Sequence, residues 1–470
     1  MSSPERATGD RPRVVVVGID CLTPQFALEQ WRDDLPHLSG LAARGVSGRL
    51  ESTLPPITVP AWTAMMTSKD PGTLGVYGFR NRVGHGYDTL AIATSAAVKE
   101  PTVWDILSRH GLKSLVVGVP QTYPPKPLNG VMVSCFMTPN KQVQYTYPAG
   151  IQQVLDRIAG GEYVIDVKDF RTDDKLALLA AVEQMTEARF RAFRGLMRAD
   201  DFDFAMMVEM GVDRLHHGFW RYCDPTHRLY EPGNPYAHVL HDYYVKVDAE
   251  LGRTIEAAGE GASVLVVSDH GAKAMEGGIC INEWLEMNGY LKLKEQPREQ
   301  VRLTPDLIDW PNTMAWGEGG YYGRLFLNVA GREPQGRVPA ADYERVRDEI
   351  AAGLEAFGDE EGRPIGTRAY RPEQVYRHVN GTPPDLIVYF GDLNWRSVGT
   401  VGIGAPHLRE NDTGPDDANH QQDGVLVWQV GAGRTARRAE RYRIYDVAPS
   451  LLDYFGIEAP ADMVGKSILT

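Results

Sequence analysis

The sequence predicts an α/β fold, a doubly wound and mostly parallel sheet flanked by helices, with an inserted cap. Three observations predict it. Short apolar runs recur along the chain, as strands buried on both faces require; helical stretches separate several of them; and acids fall just beyond the runs, at the carboxyl ends where such sheets collect ligands. With 470 residues, 43% of them hydrophobic and 24% charged, the chain can bury a full core and is too apolar to be disordered throughout.

Taken in order, RVVVVGID (13–20) opens the sheet and ends on Asp20. PTVWDILSRHG (101–111) is helical with Gly111 as its C-cap, and KSLVVGV (113–119) is the next strand. The long pattern over 175–199 predicts a helix, and DFAMMVEM (203–210) and SVLVVSD (263–269) are strands. GRLFLNV (323–329), DLIVYF (385–390) and GVLVWQV (424–430) are further runs of the same kind. The organisation expected from this is a flexible N-terminus over 1–12 and a catalytic core beginning at 13–272. Residues 273–410 supply the remaining core strands and the cap, and 411–470 complete the core. GAPHLRENDTGPDDANH (404–420) is expected to be a long polar loop.

Composition narrows the function. Lys plus Arg total 49 against 62 for Asp plus Glu, a formal net charge of −13, which argues against a general nucleic-acid or polybasic membrane binder. Cys21, Cys135, Cys223 and Cys280 form no C-x-x-C pair, so neither a disulfide framework nor a zinc ribbon is expected. The polar start MSSPERATGDRPR and the short apolar run after it suit neither a secretory leader nor a membrane span, and a cytoplasmic location is expected.

The chemistry-bearing residues cluster at the predicted strand ends. Asp213 and His217 stand at i and i+4, which puts both on one side of a helical turn, a spacing suited to one metal ion. Asp269 and His270 are adjacent where the chain leaves a strand, and His420 precedes the last apolar run. A lone His beside an Asp is ordinarily a hydrogen-bonded core or surface residue. Three such signals at successive strand ends, with Asp20, favour a mixed N/O metal site of the kind zinc or manganese prefers. Thr58 lies before Pro60 and AWTAMMTS, where a helix can start. A hydroxyl there is either an N-cap or a nucleophile activated by the helix dipole and a divalent ion, and the two roles are compatible.

These blocks, GID with Asp20, ITVPAW with Thr58 and the M-T-S-x-x-P-G-x-x-G after it, DRLHH, SDHG and the late His420, resemble the alkaline phosphatase superfamily. Within it the chain looks most like the type I phosphodiesterase and nucleotide pyrophosphatase branch, in particular its bacterial predicted phosphohydrolase or phosphomutase group. The tail IYDVAPSLLDYFGIEAPADMVGKSI (444–468) shares the resemblance. It implies two divalent ions, zinc or manganese, one held by Asp20, Thr58, Asp269 and His270 and the other by Asp213, His217 and His420. It implies in-line attack on phosphorus by Thr58 and hydrolysis of a phosphothreonyl intermediate.

Two such ions against three carboxylates leave little net positive charge, which fits a diester better than a monoester. A threonine at 58, rather than a serine or cysteine, also resembles the diesterase branch and disfavours a sulfatase. Where nucleotide pyrophosphatases of this type place an asparagine, this chain has Phe79, followed by Arg80, Asn81 and Arg82 as candidate substrate-binding residues. An arginine reaching the site would restore positive charge and admit monoesters, so a phosphomonoesterase or phosphomutase is the alternative. His216 is expected to support the fold beside His217, and His407 is the rival to His420. Tyr123, Tyr147, Trp316, Tyr321 and Tyr322 are expected to pack, with pocket lining as their other role. A dinucleotide-binding oxidoreductase is disfavoured because VVVVGID lacks G-x-G-x-x-G, and a metal-binding protein without turnover because all seven positions carry competent residues.

Overall fold

The structure is a computed structural model that describes residues 13–470; the segment 1–12, expected to be flexible, lies outside the described residues. Nine strands form the principal sheet: β1 (Val14–Ile19), β2 (Val46–Glu51), β3 (Ser114–Val117), β4 (Gly130–Val133), β5 (Thr146–Tyr147), β6 (Phe204–Glu209), β7 (Ser263–Val267), β8 (Asp423–Gln429) and β9 (Arg441–Arg443). Their order is β9-β2-β8-β7-β1-β6-β3-β4-β5. β1 sits centrally and parallel to both neighbours, and every one of its residues is buried, as its unbroken valine run requires.

Register explains why the acids meet. Gly18 of β1 lies opposite Val208 of β6 and Val267 of β7, so the three strands end at one level. The Asp20 amide extends the ladder to the Glu209 carbonyl at 2.8 Å. Asp20, the turn into Asp213 and the exit to Asp269 therefore share one rim.

Helix α1 (Thr58–Thr67) is buried along its whole length. Helices α2 (Lys175–Ala199), α3 (Gly211–Cys223) and α4 (Val239–Ala258) pack on one another, and the Asp174 carboxylate caps α2 by accepting from the Ala177 amide at 3.1 Å.

Two sets of apolar runs differ from the expectation. The run over 424–430 lies in β8, which is antiparallel to both β7 and β2. Gly323–Leu327 and Leu386–Tyr389, expected as core strands, instead pair antiparallel in a separate four-stranded sheet with Ala315–Glu318 and Arg368–Tyr370. That sheet has its own apolar cluster, in which Trp284, Phe326, Ile350 and Leu386 meet. A continuous apolar run records burial on both faces, which this cap supplies as well as the main sheet does. The expected polar loop over 404–420 contains two short strands, His407–Leu408 and the start of Ala418–Gln421. The second pairs with Gly271–Ala274 and sets His420 opposite Ala272.

Gly18 is required by close approach. A Cβ there would lie 2.5 Å from Trp62 Cη2, 2.8 Å from Val208 Cγ2 and 3.0 Å from the Met207 carbonyl oxygen. Gly18→Ala is expected to destabilise the fold by about 1–3 kcal/mol through overpacking. Urea unfolding checks this, and an unchanged midpoint would contradict the packing described.

Candidate active site

The three acids of the rim are fully buried, and each keeps one oxygen without a hydrogen-bond partner among the described residues. Asp20 accepts from the Trp62 indole at 2.7 Å through Oδ2, which leaves Oδ1 bare. Asp269 accepts from the Cys21 amide at 3.3 Å through Oδ1, which leaves Oδ2 bare. Asp213 accepts from Arg214 at 2.6 Å through Oδ2, which leaves Oδ1 bare.

The imidazoles repeat this arrangement with their two nitrogens. Nδ1 of His270 faces the Gly271 carbonyl at 3.1 Å, Nδ1 of His420 the Pro56 carbonyl at 2.7 Å, and Nδ1 of His217 the Asp416 carboxylate at 2.7 Å. An acceptor at each Nδ1 fixes the proton there and turns the Nε2 lone pair inward. His270 Nε2 lies 3.2 Å from Asp269 Oδ2 and 3.7 Å from Asp20 Oδ1; His217 and His420 Nε2 lie 3.4 and 3.8 Å from Asp213 Oδ1.

Thr58 is the first residue of α1, 3% exposed, and its Oγ1 meets His270 Nε2 at 3.3 Å. The capping position belongs to Ile57, whose side chain makes no cap bond, so the Thr58 hydroxyl is directed into the cluster rather than back to its helix.

Charge accounts for the titration behaviour. Burial pushes the Asp20 and Asp269 carboxyls up, reinforced by Asp213 for the first and by Asp20 for the second. For Asp213 burial acts upward too, but His217 and Arg214 outweigh it and hold the carboxyl well below its usual range. His217 is raised despite burial, through Asp416, Tyr321 and Asp213, whereas burial lowers His270 to about 4. Such crowding of anions with inward-facing lone pairs is what a divalent cation satisfies. Donor atoms of Asp20, Asp269 and His270 lie within 4.8 Å of one another, as do those of Asp213, His270 and His420. The donor set therefore fits metal.

Asp416 is not expected in the site from the sequence, and Tyr321, expected to pack with pocket lining as its other role, lies against the cluster. Besides His217, Asp416 takes Arg171 at 2.8 Å and Arg396 at 2.9 Å; Tyr321 stacks on His420 at 4.0 Å and on His217 at 5.1 Å between ring centroids. Neither announces itself: Asp416 stands in a polar stretch, and Tyr321 in a segment where aromatics serve packing. Trp62 was visible only as part of a helix start.

A cleft of about 790 Å³ opens between core and cap, with Ile57, Arg214 and Tyr321 where it meets the cluster. Among the predicted substrate residues, Arg80 lines this cleft. Asn81 instead accepts from the Tyr77 amide at 2.7 Å and donates to the Gly78 carbonyl at 3.0 Å, which closes its own turn. Arg82 is buried against Trp316 and paired with Glu333 at 3.0 Å, because the hairpin alternates its side chains between cleft and cap. His407 lies in the cap, bonded to the Gly358 carbonyl at 2.8 Å, and His216 bonds the Tyr244 hydroxyl at 3.0 Å. Tyr322 lines the cleft beside Tyr321, Trp316 packs on Trp310 and Phe326, and Tyr123 and Tyr147 each precede a cis proline.

A parallel rim that brings three aspartates, three histidines and a helix-terminal threonine together defines a phosphohydrolase scaffold of the alkaline phosphatase kind. More narrowly, the family described as type I phosphodiesterase / nucleotide pyrophosphatase matches residues 14–416, and the chain belongs to it. It is a phosphodiesterase/pyrophosphatase-type hydrolase, and its family implies divalent metal ions. The fold is similar to that of murine ectonucleotide pyrophosphatase / phosphodiesterase 5 (13% identity, TM-score 0.56, covering 97% of this chain and 100% of that one), with the same values for the human protein. It is also similar to an inactive variant of the murine protein in complex with AMP (12% identity, TM-score 0.53, covering 98% and 100%). A 66-residue stretch is 38% identical to a 2,3-bisphosphoglycerate-independent phosphoglycerate mutase from Pseudoalteromonas atlantica, 14% of this chain and 12% of that one.

Asp416→Ala removes the shared acceptor of His217, Arg171 and Arg396 and leaves cations buried without a partner. A loss of about 3–5 kcal/mol is expected. Chemical denaturation reads it, and wild-type stability would mean that the network contributes little.

Proposed function

We propose that the chain cleaves phosphodiester or pyrophosphate bonds with two divalent ions, through a phosphothreonyl intermediate. The observation that carries this reading is the Thr58 hydroxyl, set at a helix N-terminus and turned into a cluster of bare ligand atoms. Asp20, Asp269 and His270, with Thr58 itself, would hold one ion; Asp213, His217 and His420 would hold the other. Three carboxylates with three imidazoles suit zinc, and manganese next. The ions, when bound, supply Lewis-acid charge for the attacking and leaving oxygens.

The remaining work falls to the chain. Thr58 Oγ1, its proton lost to solvent and its anion favoured by the α1 dipole, attacks phosphorus in line; the P–O bond opposite Thr58 breaks as the Thr58–phosphorus bond forms, and the leaving oxygen departs with that electron pair and is protonated from solvent. Trp62 holds Asp20, and Asp416 holds His217, so that neither ligand turns away. Tyr321, covering His420 and His217, shields that side from bulk water. Water then cleaves the phosphothreonyl ester from the face opposite Thr58. A nucleotide-like substrate is supported by the AMP complex of the murine relative and by Phe79 and Tyr322 on the cleft wall.

A phosphomonoesterase or phosphomutase is the second reading, favoured by Arg80, which reaches the cleft without an ion-pair partner among the described residues. A cytoplasmic setting accords with four free cysteines. No described helix is long and apolar enough to cross a membrane.

Thr58→Ala is expected to lower kcat about 1,000-fold or more while leaving the fold intact and the metal content largely so, since Asp20, Asp269 and His270 remain to hold the first ion. Hydrolysis of bis-p-nitrophenyl phosphate and p-nitrophenyl phosphate, before and after chelation, checks this. Turnover by the variant at the wild-type rate would sink the nucleophile assignment, and faster monoester cleavage would select the second reading.

Added zinc or manganese is expected to raise Tm by roughly 5 °C near pH 7.5 and by much less near pH 5. The sign follows from linkage. Asp20 and Asp269 bind protons more tightly folded than unfolded, so the metal-free protein loses stability as pH rises from about 4 through their raised values, whereas protons displace metal at low pH. Melting curves at the two pH values decide it; an increment independent of pH would place the metal elsewhere.

A further inference from the structure

The two halves of the ligand cluster are held differently. His270 and His420 are oriented by backbone carbonyls, those of Gly271 and Pro56, whereas His217 turns its Nδ1 to a side chain, Asp416, at 2.7 Å, with the Ala418 carbonyl beside it at 3.1 Å. Asp416 is buried, and its two oxygens serve different partners: Oδ1 faces His217, while Oδ2 accepts from Arg171 at 2.8 Å and from Arg396 at 2.9 Å. Arg396 comes from the cap, on the strand Trp395–Val398 that pairs with Gly277–Cys280, and is itself 7% exposed. Asp416 is its one ion-pair partner among the described residues. A second cap residue bears on the same side. Tyr321 stacks on His420 and His217, has the Arg396 guanidinium 5.0 Å from its ring centre, and is tied to the Arg396 strand by the backbone bonds between Gly320 and Ser397 at 2.8 and 3.0 Å.

A structural ion pair needs one arginine, and Arg171 of the core already supplies it. A second buried guanidinium costs further desolvation. What it adds is direction: two donors on Oδ2 fix the plane of the carboxylate and keep Oδ1 on His217 Nδ1. Among the described residues no cap side chain bonds Asp20, Asp269 or His270 in this way. We infer that Arg396 is a positioning residue for the ion held by Asp213, His217 and His420. It acts through Asp416 on His217, so that docking of the cap and occupancy of that position favour each other. The position formed by Asp20, Thr58, Asp269 and His270 is independent of it. This inference rests on the two-metal reading above and gives the cap control over one ion only. The coupling is reciprocal, since whatever the docked cap adds to the affinity for the ion, the bound ion adds to docking.

Zinc titration of the metal-free full chain, with a chelator as competitor, resolves the two ions. Arg396→Met keeps apolar bulk and removes the charge, and is expected to weaken one ion about tenfold while leaving the other within about twofold of wild type. Arg396→Lys restores a cation at Oδ2, where Arg396 supplies a single bond, and is expected to recover part of that loss. A merely structural role would weaken both ions or neither, and either result overturns the inference. Hydrogen exchange reads the reverse coupling without any variant. Zinc is expected to slow exchange of the Gly320 and Ser397 amides about tenfold in the wild type, and to lose that effect in Arg396→Met. An unchanged rate in the wild type overturns the inference even where the variant fails to fold. Wild type that binds no zinc removes the two-metal reading and this inference with it; two ions bound alike by wild type and Arg396→Met remove the inference alone.

Discussion

Three carboxylates share a buried rim, and each has one oxygen held by the protein and one left bare. Like charges so placed repel strongly and lack solvent to screen them, so the rim is tolerable only with protons or cations in it. The register of β1, β6 and β7 imposes this crowding, since strands that end together deliver their acids together. The Trp62 indole and the Cys21 amide each hold one carboxylate by a single bond, which fixes direction without neutralising charge. An ordinary core would satisfy both oxygens; this one leaves Asp20 Oδ1, Asp213 Oδ1 and Asp269 Oδ2 without a hydrogen-bond partner among the described residues.

The histidines extend the same principle to the cap. His270 and His420 are oriented by backbone carbonyls of the core, but His217 depends on Asp416, and Asp416 is also the meeting point of Arg171 and the cap residue Arg396. Tyr321 adds a second tie, since its ring covers two of the ligands while its hydroxyl accepts from Arg171 at 2.7 Å. The position of the cap is thus coupled to the orientation of the His217 imidazole. A displacement of the cap strand bearing Arg396 would alter the carboxylate that fixes the His217 tautomer.

Much of this was legible in the sequence, and the reasons are physical. Asp20, Asp213 and Asp269 stood out because apolar runs end abruptly at strand termini, and His217 and His270 because helical and strand-exit spacing ties them to those acids. His420 was legible through its place before β8. The resemblance to the phosphodiesterase branch rested on these same blocks, and the family match over 14–416 agrees with it. Asp416 was not legible, because an acid among Thr, Gly, Pro and Asp reads as solvated until tertiary packing buries it. The cap strands 323–327 and 386–389 were misplaced in the main sheet because an apolar run records burial and not its partner. The hairpin carrying Arg80, Asn81 and Arg82 could be located, but which of them face the cleft depends on a pairing with Leu90–Ile92 that no local pattern announces.

The distribution of charge separates two tasks that sequence alone merges. At the floor, negative charge is concentrated; a few residues away, the cleft wall is positive. Arg214 lies at the boundary, joined to Asp213 on one side and Asp166 on the other, so that this rim carboxylate is paired where the open cleft begins. The sign of the charge thus alternates along one cavity, from the acidic rim to the arginine-lined wall, with Arg214 at the change.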